Sequence, residues 1–457
     1  MNLMLRNSPT LLAAALLVGA VGCTQAPPAE FHLNMVQAAA KEVTPEYQQE
    51  IANVLGALFG TPDKPEVLPE SGLDQNLLDL AAGPAWTGPD DVTHGLYRRH
   101  CVHCHGISGD GRGPTAMFLD PYPRDYRKGI FKFKSTYGAE KPTNEDLTRI
   151  VKNGIPGTSM PSFAVLPEPE VEALVEYVKY LAIRGEMEIK LNDFVVNELG
   201  EEEAEDENGE PILSEDGTPQ MVRLKLDPTE DPEQADIIKE ELTMIAESWA
   251  AAQELVIVPA AENAPSEDRS PEAVAESVAA GRELFFSKRA SCFTCHGPTA
   301  LGDGQQNDYD DWVKDTVNLK TLRETTENTL VSLEKAPEEE SDEDYADRQS
   351  RIERAEQLID TIDEALRVSY PVRNAIPRNL RQGVYRGGRR RLDIFYRIHA
   401  GIRGVPMPGV GPTSPEAEPT LTEAEIWQLV DYVLALPYEA ASGPNQDRPT
   451  NALPVTR

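Results

Sequence analysis

The sequence predicts a mainly α-helical protein with two similar domains, and an internal repeat is the first observation behind that prediction. The stretch "PRDYRKGIF" at 123–131 matches "PRNLRQGVY" at 377–385. Further along, "DLTRIVKNGIPGTSMP" at 146–161 matches "DIFYRIHAGIRGVPMP" at 393–408. A chain of 457 residues is long enough for about two or three domains, so each copy can form a domain of its own.

Helical periodicity is the second observation. Aromatic and aliphatic residues recur at three- and four-residue spacing in 170–182 and again in 421–436, just after the two copies of the repeat. This spacing is typical of an amphipathic helix that buries one face. A short helix is also expected upstream of each copy, where it carries Tyr97 or Phe285.

The N-terminal stretch predicts export. Arg6 gives a positive start, and residues 11–22 form an apolar run of twelve residues, which is too short to span a bilayer as a helix. We therefore expect a signal peptide over 1–22. The run ends in "AVGC" and resembles the lipobox of bacterial lipoproteins, with Ala20 where Leu is usual. That resemblance implies a diacylated Cys23 and a protein tethered to a membrane, in the periplasm or at the cell exterior.

Two alternatives stay open for this stretch, namely a simple cleaved signal and an uncleaved anchor. The following residues, 23–88, are expected to act as a spacer from the membrane. They contain one predicted helix, which begins at Thr44 as N-cap with Pro45 at the first helical position and ends near Gly60.

The charge balance limits the class of partner. A formal net charge of −34 argues against nucleic acid as a partner, because a phosphate backbone needs basic patches. Acidic residues concentrate at 201–210 and 338–344. Such clusters are typical of solvated linkers and loop tips, and the alternative is a docking surface for a redox partner with a basic face.

The cysteines carry the main chemical signal. Apart from Cys23, the chain has only two Cys-x-x-Cys-His motifs, "CVHCH" and "CFTCH". A Cys-x-x-Cys disulfide closes almost no loop, and neither a zinc site nor a redox dithiol needs the adjacent histidine. Thioether links to a haem use both thiols, and the histidine then binds the iron. The sequence therefore predicts two covalently bound haem c groups, held by Cys101, Cys104 and His105 and by Cys292, Cys295 and His296.

These motifs, together with two Gly-x-x-Met-Pro stretches, resemble the class I cytochrome c family over 89–185 and 271–440. The resemblance implies two helical haem domains, each with a methionine opposite the proximal histidine. It also implies that the carbonyl of Pro114, in "CHGISGDGRGPTA", accepts from the proximal histidine ring of the first domain. The second domain, with "CHGPTALGDGQQ", has no proline at that position. The carbonyl that accepts from its proximal histidine is therefore not identified from the sequence.

Met160 and Met407 are the predicted sixth ligands, because they occupy matching points of the repeat and each precedes a proline. A lone methionine is often core filler, and His399 is the rival ligand for the second iron. The repeated Arg124 and Arg378 are hypothesised to pair with haem propionates, the alternative being surface salt bridges.

Spacing locates an insertion in the second domain. The interval from His296 to Met407 is about twice that from His105 to Met160. Apolar residues at alternating spacings of three and four predict an antiparallel helical hairpin over 317–368, either a structural excursion or a docking arm.

The remaining segments are assigned by composition and pattern. An acidic interdomain segment over 186–270 contains one predicted helix near 233–254, and a C-terminal tail spans 441–457. The interdomain segment is expected to pack against a haem domain.

The functional prediction is electron transfer between redox proteins. An iron bound by histidine and methionine has no open position, so no small-molecule substrate is expected. The alternatives are a dihaem peroxidase, which needs a displaceable ligand at one haem, and an electron-transfer subunit of a larger oxidase or dehydrogenase complex.

Overall fold

The computed structural model describes residues 28–204, 210–214, 218–261, 263–266, 268–335 and 341–439. The predicted signal peptide, Cys23 and the tail at 441–457 lie outside these residues. The described chain is mainly helical, with three short two-stranded antiparallel sheets, so the predicted fold class is confirmed. No helix in this part of the chain is long and apolar enough to cross a membrane.

The helices are numbered in chain order. They are α1 (Met35–Ala40), α2 (Pro45–Phe59), α3 (Gln75–Ala81), α4 (Leu96–His100), α5 (Val102–His105), α6 (Asn144–Asn153), α7 (Glu168–Asn197), α8 (Pro232–Ala251), α9 (Pro271–Phe285), α10 (Cys292–His296), α11 (Asp311–Leu333), α12 (Asp342–Arg367), α13 (Arg391–His399) and α14 (Glu423–Ala435). The strand pairs are β1 (Trp86–Thr87) with β2 (Thr93–His94), β3 (Glu201–Glu203) with β4 (Met221–Arg223), and β5 (Gly401–Ile402) with β6 (Met407–Pro408).

Residues 28–88 correct the expectation of a spacer with one helix. The predicted helix α2 is present, with Thr44 as its N-cap and Gly60 at its end. However, α1 and α3 flank it, and the apolar stripe of α2 is buried in the same core as α7. The physical reason is that a stripe of large apolar side chains is stable only when another element covers it.

The long helix α7 corrects a second expectation, the domain boundary at 185 and 186. The predicted helix over 170–182 continues to Asn197, and Met187, Leu191 and Val195 extend its buried stripe. A Cβ at Gly185 would overlap the backbone of Arg127, so the glycine allows the first domain to approach the middle of the helix. The first domain and the following segment therefore share one helix.

Each predicted haem domain places a buried aromatic ring beside its cysteine motif. In the first domain, the Tyr97 hydroxyl donates to the carbonyl of Gly106 at 2.9 Å, and its ring lies 4.7 Å from that of Tyr177 on α7. In the second domain, Phe285 lies on α9, which crosses α14. Gly281 permits the close crossing, because a Cβ there would overlap the backbone of Gln428.

The insertion forms the predicted antiparallel hairpin of α11 and α12. Arg323 pairs with Asp363 at 2.6 Å, which fixes the antiparallel register of the two helices. The root of the hairpin, where α11 begins and α12 ends, packs on the N-terminal helix α1 through a small buried cluster. Lys128 of the first domain pairs with Asp315 of α11. The hairpin therefore connects the second domain to the N-terminal region, while part of its acidic turn lies outside the described residues.

The segment between the domains packs against both of them. Helix α8 matches the predicted helix and buries Ile238, Leu242, Ile245 and Trp249. Beyond it, the Ile257 amide donates to the carbonyl of Ser135 at 2.8 Å, and the Ala260 amide donates to Glu423 of α14 at 2.9 Å.

The two domains also contact one another directly. The rings of Tyr122 and Tyr370 lie 4.9 Å apart, and the Tyr122 hydroxyl donates to the carbonyl of Pro371 at 3.1 Å. Arg373 lies over the Tyr122 ring at 4.0 Å and donates to the carbonyl of Leu119 at 2.6 Å. These contacts combine ring packing with satisfied polar groups, which favours a defined orientation of the two domains.

Candidate cofactor sites

The two cysteine pairs lie in short helices that end at the adjacent histidine. None of Cys101, Cys104, Cys292 and Cys295 forms a disulfide. Burial raises the pKa of Cys101 to about 12 and that of Cys292 to about 11. Among the described residues, no group of three or more His, Cys, Asp or Glu side chains could hold a metal ion.

The ring of His105 is oriented by the carbonyl of Arg124, whose oxygen lies 3.1 Å from Nδ1. This corrects the prediction that the Pro114 carbonyl accepts from this ring. The reason lies in the loop after the motif. The Tyr126 amide donates to the carbonyl of Gly109 at 2.7 Å, which brings residues 123–126 against the loop and places the Arg124 carbonyl at the ring.

The second domain repeats this arrangement and supplies the carbonyl that the sequence left open. The carbonyl oxygen of Arg378 lies 3.4 Å from Nδ1 of His296. Here the Leu380 amide donates to the carbonyl of Ala300 at 3.0 Å, at the position equivalent to Gly109. Ala300 adopts a φ of 58°, in the left-handed region that Gly109 also occupies with 70°.

The environment of these rings suits them to bind iron. Burial lowers the pKa of His105 to about 4 and also lowers the pKa of His296. When Nδ1 carries the proton and donates to a carbonyl, Nε2 is left with its lone pair. The ring of Tyr126 stacks on His105 at 4.7 Å and helps to fix its plane.

The two methionines lie in loops of the same construction. The Ile155 amide donates to the carbonyl of Met160 at 3.1 Å, and Ile402 pairs with Met407 across β5 and β6. Each loop begins at a glycine with positive φ, 64° at Gly154 and 73° at Gly401.

A cavity of about 1680 Å³ brings the predicted residues of the second site together. Its lining includes Cys292, Cys295, His296 and Met407. It is larger than the roughly 300–1,000 Å³ of an ordinary small-molecule pocket. The cavity can therefore admit a large planar group between the histidine and the methionine.

Cationic side chains also face this cavity. The Nε atoms of Arg378 and Arg386 are buried and have no hydrogen-bond partner in the described part of the chain. Buried donors without partners are costly, so a bound anion fits this site. The carboxylates of haem propionates would supply it, and the residues present therefore fit a covalently bound haem c.

Arg386 was not predicted from the sequence, although the repeat contained a signal for it. It follows "PRNLRQGVY" directly, and Lys132 occupies the same place after "PRDYRKGIF". Lys132 also lines the cavity, 3.8 Å from Asp310, and burial lowers its pKa to about 7. The first domain thus contributes a cation to the second site.

The Nη2 atom of Arg124 is buried in the first domain, and its guanidinium lies close to Asp310, Asp125 and Asp311. Burial lowers the pKa of its guanidinium to about 10, despite the opposing effect of these carboxylates.

His399, the rival sixth ligand, does not line this cavity. It is buried at the end of α13, with the ring of Phe395 at 5.5 Å and that of Tyr137 at 5.7 Å. Burial lowers its pKa to about 4. The position is an apolar contact between the two domains.

Comparison with known proteins finds a similarity in the part of the chain that contains the first of these sites. Residues 90–178 match the protein family described as "Cytochrome C oxidase, cbb3-type, subunit III". This match supports a cytochrome c domain in this part of the chain, which implies covalently bound haem c and a role in electron transfer. No curated protein sequence matches the chain.

One solved structure with some likeness is a chain of the Kuenenia stuttgartiensis reducing HAO-like protein complex. It shares 18% sequence identity and a TM-score of 0.39, with 75% of this chain and 94% of that chain covered. A likeness of this size supports no conclusion about fold or function.

Proposed function

We propose that the protein is a dihaem c-type cytochrome that carries electrons between exported or membrane-bound redox partners. Each haem is attached through two thioethers and is six-coordinate, with one histidine and one methionine. The attachment residues are Cys101, Cys104, Cys292 and Cys295, and the iron ligands are His105, Met160, His296 and Met407.

The observation that carries this proposal is the recurrence of one proximal arrangement in both domains. His105 and His296 each present Nδ1 to the carbonyl of the arginine at the second position of the same repeated segment. A repeated sequence alone could serve packing. In both domains, however, the histidine directly after the Cys-x-x-Cys pair makes the same hydrogen bond through its ring. This supports two sites that bind the same kind of cofactor.

When bound, haem c supplies a reversible one-electron couple, and thioether sulfur as axial ligand raises its potential. The chain holds each histidine ring neutral and oriented, and it closes each methionine loop with backbone hydrogen bonds. In the second site, Arg378 and Arg386, whose Nε atoms are buried, would neutralise propionates, and Arg124 is proposed for that role in the first.

A dihaem peroxidase is the competing proposal, because such an enzyme also needs two attachment motifs. It requires a displaceable sixth ligand on one haem. The two methionine loops share the same glycine start and the same closure, so nothing in their construction favours such a difference. We therefore propose electron transfer without a small-molecule substrate.

A role as electron-transfer subunit of a larger complex is compatible with the proposal. The family matched by residues 90–178 is described as a subunit of a cytochrome c oxidase. The partners are then redox proteins of such a complex. Anchoring through a lipidated Cys23, with the body in the periplasm or at the cell exterior, belongs to the same proposal.

Haem content is the first test. A pyridine haemochrome assay should return two haems per chain, and both should stay with the denatured protein after acid–acetone extraction. A single haem, or haem that enters the organic phase, would overturn the proposal.

Replacement of each methionine tests the ligation. Met160→Ala and Met407→Ala should each remove part of the weak near-infrared sulfur-to-iron band and lower one of two midpoint potentials. Each variant should also bind cyanide or carbon monoxide quickly at one haem only. Met244→Ala, at an exposed position on α8, is the matched control and should leave the spectrum unchanged. A wild-type protein with one high-spin haem and rapid turnover of hydrogen peroxide would favour the peroxidase instead.

A further inference from the structure

The side chain of Arg378 reaches from the second domain to the methionine loop of the first. Its carbonyl accepts from His296, as described above, while its guanidinium lies against Gly157. A Cβ built on Gly157 would lie 2.8 Å from Nη2 of Arg378 and 3.0 Å from Val384. Gly157 stands three residues before Met160 and has a φ of 73°. One arginine thus contacts the proximal side of one site and the distal loop of the other.

Arg124 makes the same connection in the opposite direction. Its carbonyl lies at His105 of the first domain, while its guanidinium lies against Gly404 of the second. A Cβ built on Gly404 would lie 3.1 Å from Nη1 of Arg124. Gly404 stands three residues before Met407 and also has a φ of 73°. The contact is therefore reciprocal, and both glycines leave room for a guanidinium where any other residue would place a Cβ.

Further contacts hold the two domains in this relation. Arg149 of α6 lies 2.8 Å from Asp146 of its own helix and 3.9 Å from Asp393 of α13, which occupies the equivalent place in the second copy. The Asp311 amide donates to the carbonyl of Gly404 at 3.1 Å, which fixes the second loop beside Arg124. Because the interface is fixed by several such groups, each arginine can act on the opposite loop as a rigid link.

We propose that each arginine is a positioning residue for the sixth-ligand loop of the other domain, Arg378 for the Met160 loop and Arg124 for the Met407 loop. The proposal rests on the proposed function, since it requires both methionines to be iron ligands. A guanidinium is planar and presents its donors in a fixed fork, so it can brace a loop in a way that a flexible ammonium cannot. Through these links, ligation at each haem is coupled to the proximal side of the other, and such coupling is reciprocal.

Double variants assign the effect to one haem. In Met407→Ala, the remaining near-infrared band belongs to Met160, and in Met160→Ala it belongs to Met407. Adding Arg378→Gln should weaken the remaining band of Met407→Ala at least twofold. The band of Met160→Ala should weaken by a smaller factor, because Arg378 is also proposed to neutralise propionates of the second haem. Adding Arg124→Gln should give the reverse pattern. Arg389→Gln, an exposed arginine of the second domain that donates to the Tyr438 hydroxyl, is the matched control and should change neither band.

Two further variants keep the test decisive if an arginine variant folds poorly. Gly157→Ala places a methyl group against Arg378 and should weaken the Met160 band from the opposite side of the contact. Arg378→Lys retains the charge and should restore only part of that band. Haem content measured on every variant separates misfolding from a displaced ligand.

The outcomes also separate this proposal from the one it rests on. If Arg378→Gln weakened the band of Met407 rather than that of Met160, the arginine would act within its own domain and the inference would be wrong. If Met407→Ala alone retained no band, Met160 would not be a ligand, and the proposed function would fail first.

Discussion

The buried residue His399 lies outside the proposed haem site, and its environment bears on the stability of the folded protein. Its ring lies between Phe395 and Tyr137, which belong to different domains. Its Nδ1 is buried without a hydrogen-bond partner in the described part of the chain. Such a site favours the neutral ring, which is why its pKa falls to about 4 from an ordinary value near 6.5.

This burial predicts a loss of stability in acid. Below about pH 6.5, the unfolded chain binds a proton at His399 that the folded chain does not, so stability decreases as the pH falls toward 4. A difference of about 2.5 pKa units corresponds to about 3 kcal/mol. Urea unfolding of the wild type and of His399→Leu at pH 7 and pH 5 checks this. The wild type should lose more stability on acidification than the variant, and equal losses would contradict the prediction.

The candidate haem-binding residues follow from local sequence patterns, whereas the groups that orient the histidine rings could not be predicted from such patterns. Two Cys-x-x-Cys-His motifs are local patterns whose chemistry is contained in five consecutive residues. The carbonyl that orients His296 belongs to Arg378, 82 residues further along the chain. That pairing depends on how two loops meet in the folded domain. For this reason the family pattern suggested Pro114 for the first site, and the fold supplied Arg124.

At the level of helices, the two ends of the inserted hairpin differ in how they are packed. The hairpin of α11 and α12 covers α1 with a small apolar cluster that includes Ile362, Leu319 and Val36. Away from that cluster, Val331 and Tyr345 are about half exposed. The root is therefore held by packing against the N-terminal region, whereas these two described residues nearer the far end contribute little buried surface.

A charge at the root should release the hairpin. Ile362 is completely buried, and an unpaired carboxylate there costs on the order of several kcal/mol. Ile362→Asp should increase hydrogen exchange and protease cleavage in α1, α11 and α12, while the haem spectrum stays unchanged. Val331→Asp, which places the same charge at an exposed position of α11, should leave protection at the root intact. Equal protection in both variants would show that the root packing does not hold the hairpin.

Helices with a clear local signal could be predicted from the sequence, whereas a helix that depends on this cluster could not. Helices α8, α12 and α14 carry long apolar stripes, and α2 has a clear N-cap, so local patterns were sufficient. Helix α1 has only six residues and depends on Ile362, more than 300 positions away. An isolated helix of that length is unstable in water, and only the tertiary contact makes it form.

At the scale of the whole molecule, net charge should affect the encounter with a redox partner, and the contacts between the domains should affect transfer between the proposed haems. The formal net charge of −34 favours encounter with basic redox partners, and this attraction weakens as salt increases. The contacts between the domains are mostly partly buried, and salt screens such contacts less than exposed ones. Transfer between the proposed haems should therefore depend on the fixed interface, whereas capture of a partner depends on ionic strength.

The proposed anchor would act on this whole assembly, because residues 28–88 pack onto the first domain instead of forming a spacer. Pro28 lies only five positions after Cys23, which allows at most about 18 Å of extended chain. A lipidated Cys23 would thus hold the body close to the membrane surface. Stable anchoring needs more than one acyl chain, so a diacylated cysteine should bind the membrane firmly. Cys23→Ser should therefore move the protein from the membrane to the soluble periplasmic fraction. Its haem content should stay unchanged. Retention of the serine variant in membranes after a high-salt wash would instead indicate an uncleaved N-terminal anchor or a membrane-bound partner.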